Sequence, residues 1–180
     1  MKYINKYLPF ILFIFLFTQT NCQKIKEMDI KTINTVEINK YLGKWYEIAR
    51  MPFKFEDGLM NTTATYSLRK DGKIEVLNEG YEGSPNGKYH KAVGKAWIPN
   101  TAEKGKLKVS FFWPFSANYW IVALDEKDYQ YALVISSSKY AWILCRKPWI
   151  EPQLYDSLKK VAGQNGVDFS KMIKVAHSWK

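Results

Sequence analysis

Few side chains in this sequence have the types and spacing that catalysis requires. The two histidines, His90 and His177, lie in different parts of the chain and lack the close spacing typical of metal ligands. Cys145 has no histidine near it in the sequence and is best explained as a small buried hydrophobic residue. No Gly-x-Ser-x-Gly turn, phosphate-binding loop or pair of carboxylates is recognisable. We therefore expect binding rather than catalysis, with no metal and no cofactor.

The residues with the clearest physical role are Gly43, Trp45 and Arg146. A glycine two positions before a tryptophan lets the backbone bend sharply, so the indole can turn beneath the strand that follows. An arginine that ends the last strand of an all-β stretch can lay its planar guanidinium on that indole. Together the three residues would form the closed floor of a small barrel, with a cavity above it.

The elements that must position these residues follow from the spacing of apolar side chains. Residues 36–42 have helical spacing, and from there the period changes to two. Eight such segments are joined by short turns, which predicts an antiparallel up-and-down barrel with room for one small ligand: 45–51, 62–68, 73–81, 88–98, 106–113, 119–124, 129–135 and 140–146. Pro152 then begins a helix that we expect to pack outside the barrel, and residues 172–176 form a last short strand.

The first residues of the chain have the composition of an export signal. Lys2 and Lys6 form a basic segment before an apolar run over residues 8–17, and this run is too short to span a bilayer. We therefore expect residues 1–21 to be a signal peptide. The segment ends at Cys22 and resembles a bacterial lipoprotein precursor, in which the cysteine becomes the lipidated N-terminus.

Lipidation of Cys22 would make residues 22–35 a polar tether and leave Cys145 without a disulfide partner. Gln19 and Asn21 depart from the lipoprotein pattern, so cleavage by a general signal peptidase is the alternative. A free soluble form would result, in which the two cysteines could pair.

The formal net charge is +10, which in an exported protein points away from nucleic acid. An anionic membrane surface fits a lipid-anchored protein better. A generally basic, soluble surface is the alternative interpretation.

Three groups of residues, in the order found here, resemble the signatures of the lipocalin family. The first is Gly43-x-Trp45 followed by Tyr-Glu-Ile-Ala-Arg, the second is Leu124-Asp125 with Tyr129, and the third is Arg146 after Trp-Ile-Leu-Cys. The resemblance is to the bacterial outer-membrane lipoprotein and apolipoprotein D branch, and it implies an all-β, eight-stranded barrel over residues 36–180.

The same resemblance implies storage or transport of fatty acids or lysophospholipids. The protein would be anchored to the outer membrane and face the periplasm; a soluble periplasmic or secreted protein is the alternative. A few lipocalins catalyse isomerisation, which remains a less favoured function.

Alternation along the predicted strands selects the side chains that would line the cavity. Four aromatic residues are the ligand-binding candidates on the strands: Tyr66, Phe111, Tyr119 and Trp142. Ile121 and Ala123 share the inward face with Tyr119. Phe53 and Phe55 follow the first strand and would form a lid, although exposed lid aromatics could instead serve a homodimer contact. A barrel filled by its own side chains, with loops that bind a partner, is the rival interpretation.

Overall fold

The computed structural model of the protein describes residues 30–178. The signal peptide predicted at residues 1–21 and the lipidation site predicted at Cys22 lie outside these residues. Within residues 30–178, no helix is long and apolar enough to cross a membrane.

Eight antiparallel strands close into a barrel in which each strand pairs with the next and the eighth pairs with the first. The predicted fold class is thereby confirmed. The strands are β1 Gly43–Arg50, β2 Leu59–Leu68, β3 Ile74–Glu82, β4 Tyr89–Trp97, β5 Lys106–Phe112, β6 Phe115–Leu124, β7 Tyr131–Ser137 and β8 Tyr140–Cys145. Closure leaves few unpaired strand edges, because β1 and β2 also pair with each other.

The two ends of the barrel differ. The short helix α1, Ile38–Tyr41, precedes β1 and marks what we call the closed end. At the opposite end, the mouth, lie the loops at residues 51–58, 83–88, 113–114 and 138–139. The first of these loops contains a 3₁₀ turn, Lys54–Glu56, and we call it the lid loop.

Helix α2, Pro152–Gln164, packs on the outside of the barrel, as the sequence predicts. Leu158 and Ala162 are its buried residues, and they join a cluster that includes Ile143 and Cys145 from β8. Cys145 is a free thiol in this layer, and burial raises its pKa to about 12. The opposite faces of the same strands form the interior cluster.

Three irregularities shift side chains from the face that strict alternation assigns to them. β1 is bulged between Glu47 and Ala49, and β6 between Ile121 and Ala123. β2 is irregular between Met60 and Thr63. The expectation that Ala123 faces inward is wrong: Ala123 packs with the outer cluster, because one extra residue in a bulge inverts the faces beyond it.

Three parts of the described chain differ in detail from the expected segments. Ile30 is buried in the outer cluster and Ile33 packs on the interior cluster, so packing begins within the segment expected to be a tether. β9 is only Ile173–Lys174, which pairs with β1. Tyr129, expected to begin a strand, lies in a turn with a φ of 54°.

Candidate ligand-binding barrel

The closed end is sealed by Trp45 and Arg146. The Arg146 guanidinium carbon lies 3.9 Å from the centroid of the Trp45 ring, and Trp45 has no exposed surface. The Trp45 indole N–H donates to the carbonyl of Tyr41 at 2.8 Å. Gly43 has a φ of +93°, and a Cβ there would lie 3.3 Å from Arg146 Nη1, so glycine suits both its backbone and its space.

The guanidinium of Arg146 also ties the chain segment before β1 to the end of the barrel. Its nitrogens donate to the carbonyls of Lys40, Leu42 and Lys44, each at 2.8 Å, and of Tyr129 at 3.2 Å. Such a fork of donors is a property of arginine that lysine lacks. These contacts make the closed end a structural floor rather than an opening.

Above the floor, three tyrosine hydroxyls form one network. Tyr119 Oη lies 2.7 Å from both Tyr41 Oη and Tyr66 Oη. Burial raises the pKa of all three phenols, so they are neutral at physiological pH. Two hydrogen bonds use two of the three hydroxyl protons, which leaves one proton to donate to a further acceptor.

The aromatic wall continues along β5. Phe111 packs on the interior cluster, and a Cβ at Gly94 on β4 would lie 2.8 Å from the Phe111 ring. Gly94 therefore leaves the space that this ring occupies. With Tyr66 and Tyr119, Phe111 places three of the strand candidates on one interior surface.

Trp142 carries the aromatic surface up to the lid loop. Its ring lies on the interior face, with the Phe53 ring edge-on at 6.0 Å between centroids. The centroid of the Phe53 ring also lies 5.4 Å from that of Tyr140 and 5.3 Å from that of Phe55. Phe55 itself is 73% exposed, so it lies at the outer edge of the mouth rather than over the cavity.

A buried charged cluster beneath the lid loop was not foreseen from the sequence. Arg50 Nη1 donates to Glu47 Oε1 at 2.8 Å, and Arg50 Nη2 donates to the backbone carbonyls of Glu56 and Leu59. Glu56 in turn accepts a hydrogen bond from the Trp142 indole N–H at 3.1 Å. Arg50 is only 2% exposed and pairs with Trp142 on β8, which places it inside the barrel. These contacts fasten the C-terminal end of the lid loop from within.

Burial raises the pKa of both carboxyl groups in this cluster. Burial, followed by the nearby Glu56 carboxylate, raises the pKa of Glu47 to about 8 against the opposing effect of Arg50. Burial also raises the pKa of Glu56. Two carboxyl groups therefore share one arginine at this buried site, and a third acidic group would find no cation of its own.

The family model of the lipocalin-like domain matches residues 36–177. The chain belongs to the lipocalin family. It is 42% identical over 147 residues to the outer membrane lipoprotein Blc of Vibrio cholerae, which covers 81% of this chain and 85% of that protein. It is 41% identical over 146 residues to apolipoprotein D of Mus musculus, which covers 76% of this chain and 74% of that protein.

Solved lipocalin structures share this fold. The structure of insecticyanin from Manduca sexta superposes with a TM-score of 0.65 at 26% identity, covering 83% of this chain and 85% of that chain. Lobster apocrustacyanin A1 superposes with a TM-score of 0.62 at 18% identity, covering 87% and 94%, and shows the fold alone.

The side chains that could do chemistry lie apart from one another in this lipocalin. His90 pairs with Glu82 at 3.0 Å on the surface, and His177 Nε2 lies 2.8 Å from the carbonyl oxygen of Glu47. The Cys145 thiol is buried under α2, outside the barrel. Among residues 30–178, no group of three or more His, Cys, Asp or Glu residues is placed to hold a metal ion.

Proposed function

We propose that this lipocalin binds a single-chain lipid, a fatty acid or a lysophospholipid, in the upper half of its barrel. One observation carries the proposal: above a sealed floor, the rings of Tyr66, Tyr119 and Trp142 line one interior surface, and Phe53 covers it. Apolar walls with a few placed polar groups are typical of sites for lipid-like ligands. The protein would store or carry such a lipid.

Burial of the acyl chain would supply most of the affinity. Each buried methylene contributes about 0.8 kcal/mol, so about eight of them give roughly 6 kcal/mol before ordering costs. Hydrogen bonds to the tyrosine hydroxyls and the buried polar groups would add to this value. Affinities near the micromolar range need no catalytic or metal group.

Native mass spectrometry of the purified protein, followed by lipid extraction, tests the proposal directly. We expect a bound single-chain lipid, and we expect added long-chain lipid to change tryptophan fluorescence in the delipidated protein. Trp142→Phe should remove part of that change, whereas Trp149→Phe, beyond the closed end, should not. No co-purifying lipid together with no response to added lipid would refute the proposal and favour a barrel that acts through a partner protein.

We also propose an envelope location, with Cys22 lipidated and the barrel facing the periplasm. The support is the similarity to relatives named outer membrane lipoproteins. A soluble periplasmic or secreted form is the alternative. Mass spectrometry of the mature N-terminus distinguishes them, since an unmodified Cys22, or a start beyond it, contradicts the anchor.

The mouth of the barrel supports contact with a membrane. Phe112, Trp113 and Phe115 at the β5–β6 tip are 71–76% exposed. The Lys95 ammonium lies 4.7 Å from the Trp113 ring centroid, so a basic group accompanies the exposed aromatics. Aromatic rings with nearby lysines suit the interface of an anionic bilayer. A homodimer through the same tip is the alternative, which would appear as a dimer in sedimentation.

We propose binding rather than catalysis. The Cys145 thiol, with a pKa raised to about 12, is a poor nucleophile, and it lies outside the barrel. A lipocalin-type isomerase remains the less favoured function.

A further inference from the structure

Three buried polar atoms on one stretch of the interior wall make no hydrogen bond. They are Arg50 Nε on β1, Thr62 Oγ1 on β2 and Asn78 Oδ1 on β3, and none has a hydrogen-bond partner among residues 30–178. Arg50 and Thr62 are 2% and 3% exposed. The nearest carboxylate oxygen to Arg50 Nε belongs to Glu56 and is 4.0 Å away, beyond hydrogen-bond distance. A buried unpaired donor or acceptor is costly, so a group of them indicates a missing partner.

Strand pairing of Arg50 and Asn78, and packing of Thr62, place all three side chains inside the barrel. Arg50 pairs with Trp142 and Asn78 with Ala64, and both partners belong to or pack on the interior cluster. Thr62 contacts the position of Gly80, where a Cβ would lie 2.8 Å from its methyl group. Directly opposed residues of antiparallel strands point to the same face, so these side chains share the interior.

Glu47 completes this group. It pairs with the interior residue Leu144, and its carboxyl lies next to Thr62 as well as bonding Arg50. We call Glu47, Arg50, Thr62 and Asn78 the interior polar patch.

Solvent reaches the barrel interior beside the patch. Ala92 on β4 pairs with Asn78 and so faces inward, yet it is exposed. The side chain of Ala92 is small, so it leaves the approach to Asn78 open. A ligand that enters from the mouth can therefore reach the patch.

The unpaired atoms define what that ligand must offer. Arg50 Nε–H needs an acceptor, Asn78 Oδ1 needs a donor, and the Thr62 hydroxyl can pair with either. A hydroxyl group supplies both functions, whereas a carboxylate or an ester supplies acceptors only. A carboxylate would also be the third acidic group beside one arginine, after Glu47 and Glu56.

We infer that the interior polar patch binds the uncharged, hydroxyl-bearing glycerol head of a single-chain lipid, in preference to the carboxylate of a free fatty acid. The inference rests on the proposed function and narrows its ligand class. The glycerol hydroxyls pair with Arg50, Thr62 and Asn78, and the acyl chain lies along the aromatic surface of Tyr66, Tyr119 and Trp142.

Three ligands with the same acyl chain test the inference on the full, delipidated chain: 1-lauroylglycerol, methyl laurate and laurate. Titration calorimetry at neutral pH should give at least tenfold tighter binding for lauroylglycerol than for laurate. Methyl laurate, which lacks both the charge and the hydroxyls, should fall between them. Equal affinity for lauroylglycerol and laurate overturns the inference while leaving lipid binding intact. If none of the three binds, the proposed function fails and the inference fails with it.

Thr62→Val and Thr63→Val form a matched pair of variants. Both positions are buried and adjacent on β2, but Thr63 pairs with Tyr46, whose ring packs on the outer cluster. Thr62→Val should weaken lauroylglycerol binding about fivefold, the loss expected for one hydrogen bond, and weaken methyl laurate binding less, because the ester offers Thr62 only an acceptor. Thr63→Val should change neither. Equal effects of the two substitutions on lauroylglycerol affinity overturn the inference.

Asn78→Leu provides a second variant should Thr62→Val fold poorly, and it should show the same selective loss. Thermal unfolding checks the fold of each variant. Because the Thr62 hydroxyl lies next to the Glu47 carboxyl, a change in the stability of Thr62→Val alone does not support the inference; the selective loss of lauroylglycerol affinity does.

Discussion

Replacement of Arg146 measures how much the closed end contributes to stability. In Arg146→Ala the barrel loses the stack on Trp45 and the donors to five backbone carbonyls. Water can reach the carbonyls of Lys40 and Lys44, so these two losses are largely compensated. The carbonyls of Leu42 and Tyr129 are partly buried and are not fully compensated, whereas the carbonyl of Tyr41 keeps its hydrogen bond from the Trp45 indole.

These contacts give the size of the expected effect. A hydrogen bond from a charged donor contributes about 1.5 kcal/mol or more, and a cation–π stack about 1 kcal/mol. We therefore expect Arg146→Ala to lower the free energy of unfolding by about 3–4 kcal/mol. Arg146→Lys keeps the charge but loses the planar fork, so about 2 kcal/mol is expected.

Urea unfolding followed by tryptophan fluorescence at neutral pH provides the measurement. Arg69→Ala is the matched control: Arg69 is 39% exposed and forms ion pairs with Asp71 and Glu75 at the surface, so its loss should cost less than about 1 kcal/mol. Should Arg146→Ala be no more destabilising than this control, the structural role assigned to the floor is wrong. A folded Arg146→Ala protein that loses lipid affinity would instead make Arg146 a binding residue.

Two further predictions concern the buried carboxyl and the mouth. The pKa of Glu47 is raised from 4.5 to about 8 in the folded state, so between these pH values the folded protein holds a proton that the unfolded chain releases. The free energy of unfolding should therefore fall by a few kcal/mol as the pH rises from 4.5 to about 8. Urea unfolding at several pH values measures this dependence. Glu47→Gln should make the free energy of unfolding less dependent on pH, and the exposed control Glu126→Gln should leave the dependence as it is. An unchanged pH dependence in Glu47→Gln contradicts the raised pKa of Glu47. The second prediction concerns the mouth and uses a chain that lacks residues 1–22. In flotation with anionic vesicles, Trp113→Ser should weaken the association of this chain with the vesicles severalfold. Trp149→Ser, with Lys147 at 4.9 Å from the Trp149 ring at the closed end, should bind like the unsubstituted chain. Equal losses for the two tryptophans would rule out docking through the mouth.

The sequence predicts the barrel well because most strands alternate regularly. Trp142 and Leu144 lie on the interior face, and Ile143 and Cys145 lie under α2, as their positions require. The aromatic residues also mark the floor and the walls. Turns rich in glycine, aspartate and asparagine separate the strands clearly, so the order of elements is readable without the structure.

The buried charged cluster could not be predicted for a specific reason. Glu47 and Arg50 are three positions apart, so strict alternation assigns them to opposite faces, and Arg50 is then expected near the surface of the mouth. The bulge between Glu47 and Ala49 turns Ile48 and Ala49 both toward the outer cluster and brings Glu47 and Arg50 to the interior together. The sequence gives no sign of this bulge, since neither glycine nor proline lies between Glu47 and Arg50.

The buried Arg50 and the partly exposed Arg146 show how the polar groups of this barrel can be separated by role. Arg146 uses its Nε and both terminal nitrogens on backbone carbonyls and on the Trp45 ring, so its donors are satisfied without a ligand. Arg50 uses only its terminal nitrogens, on Glu47 and the lid loop, and its Nε stays unpaired. A guanidinium whose donors are all paired stabilises the fold. A buried guanidinium with an unpaired donor costs free energy, which a ligand with an acceptor can recover. That difference, rather than residue type or distance from the mouth, is the physical reason to look for the ligand's polar head at Arg50 and not at Arg146.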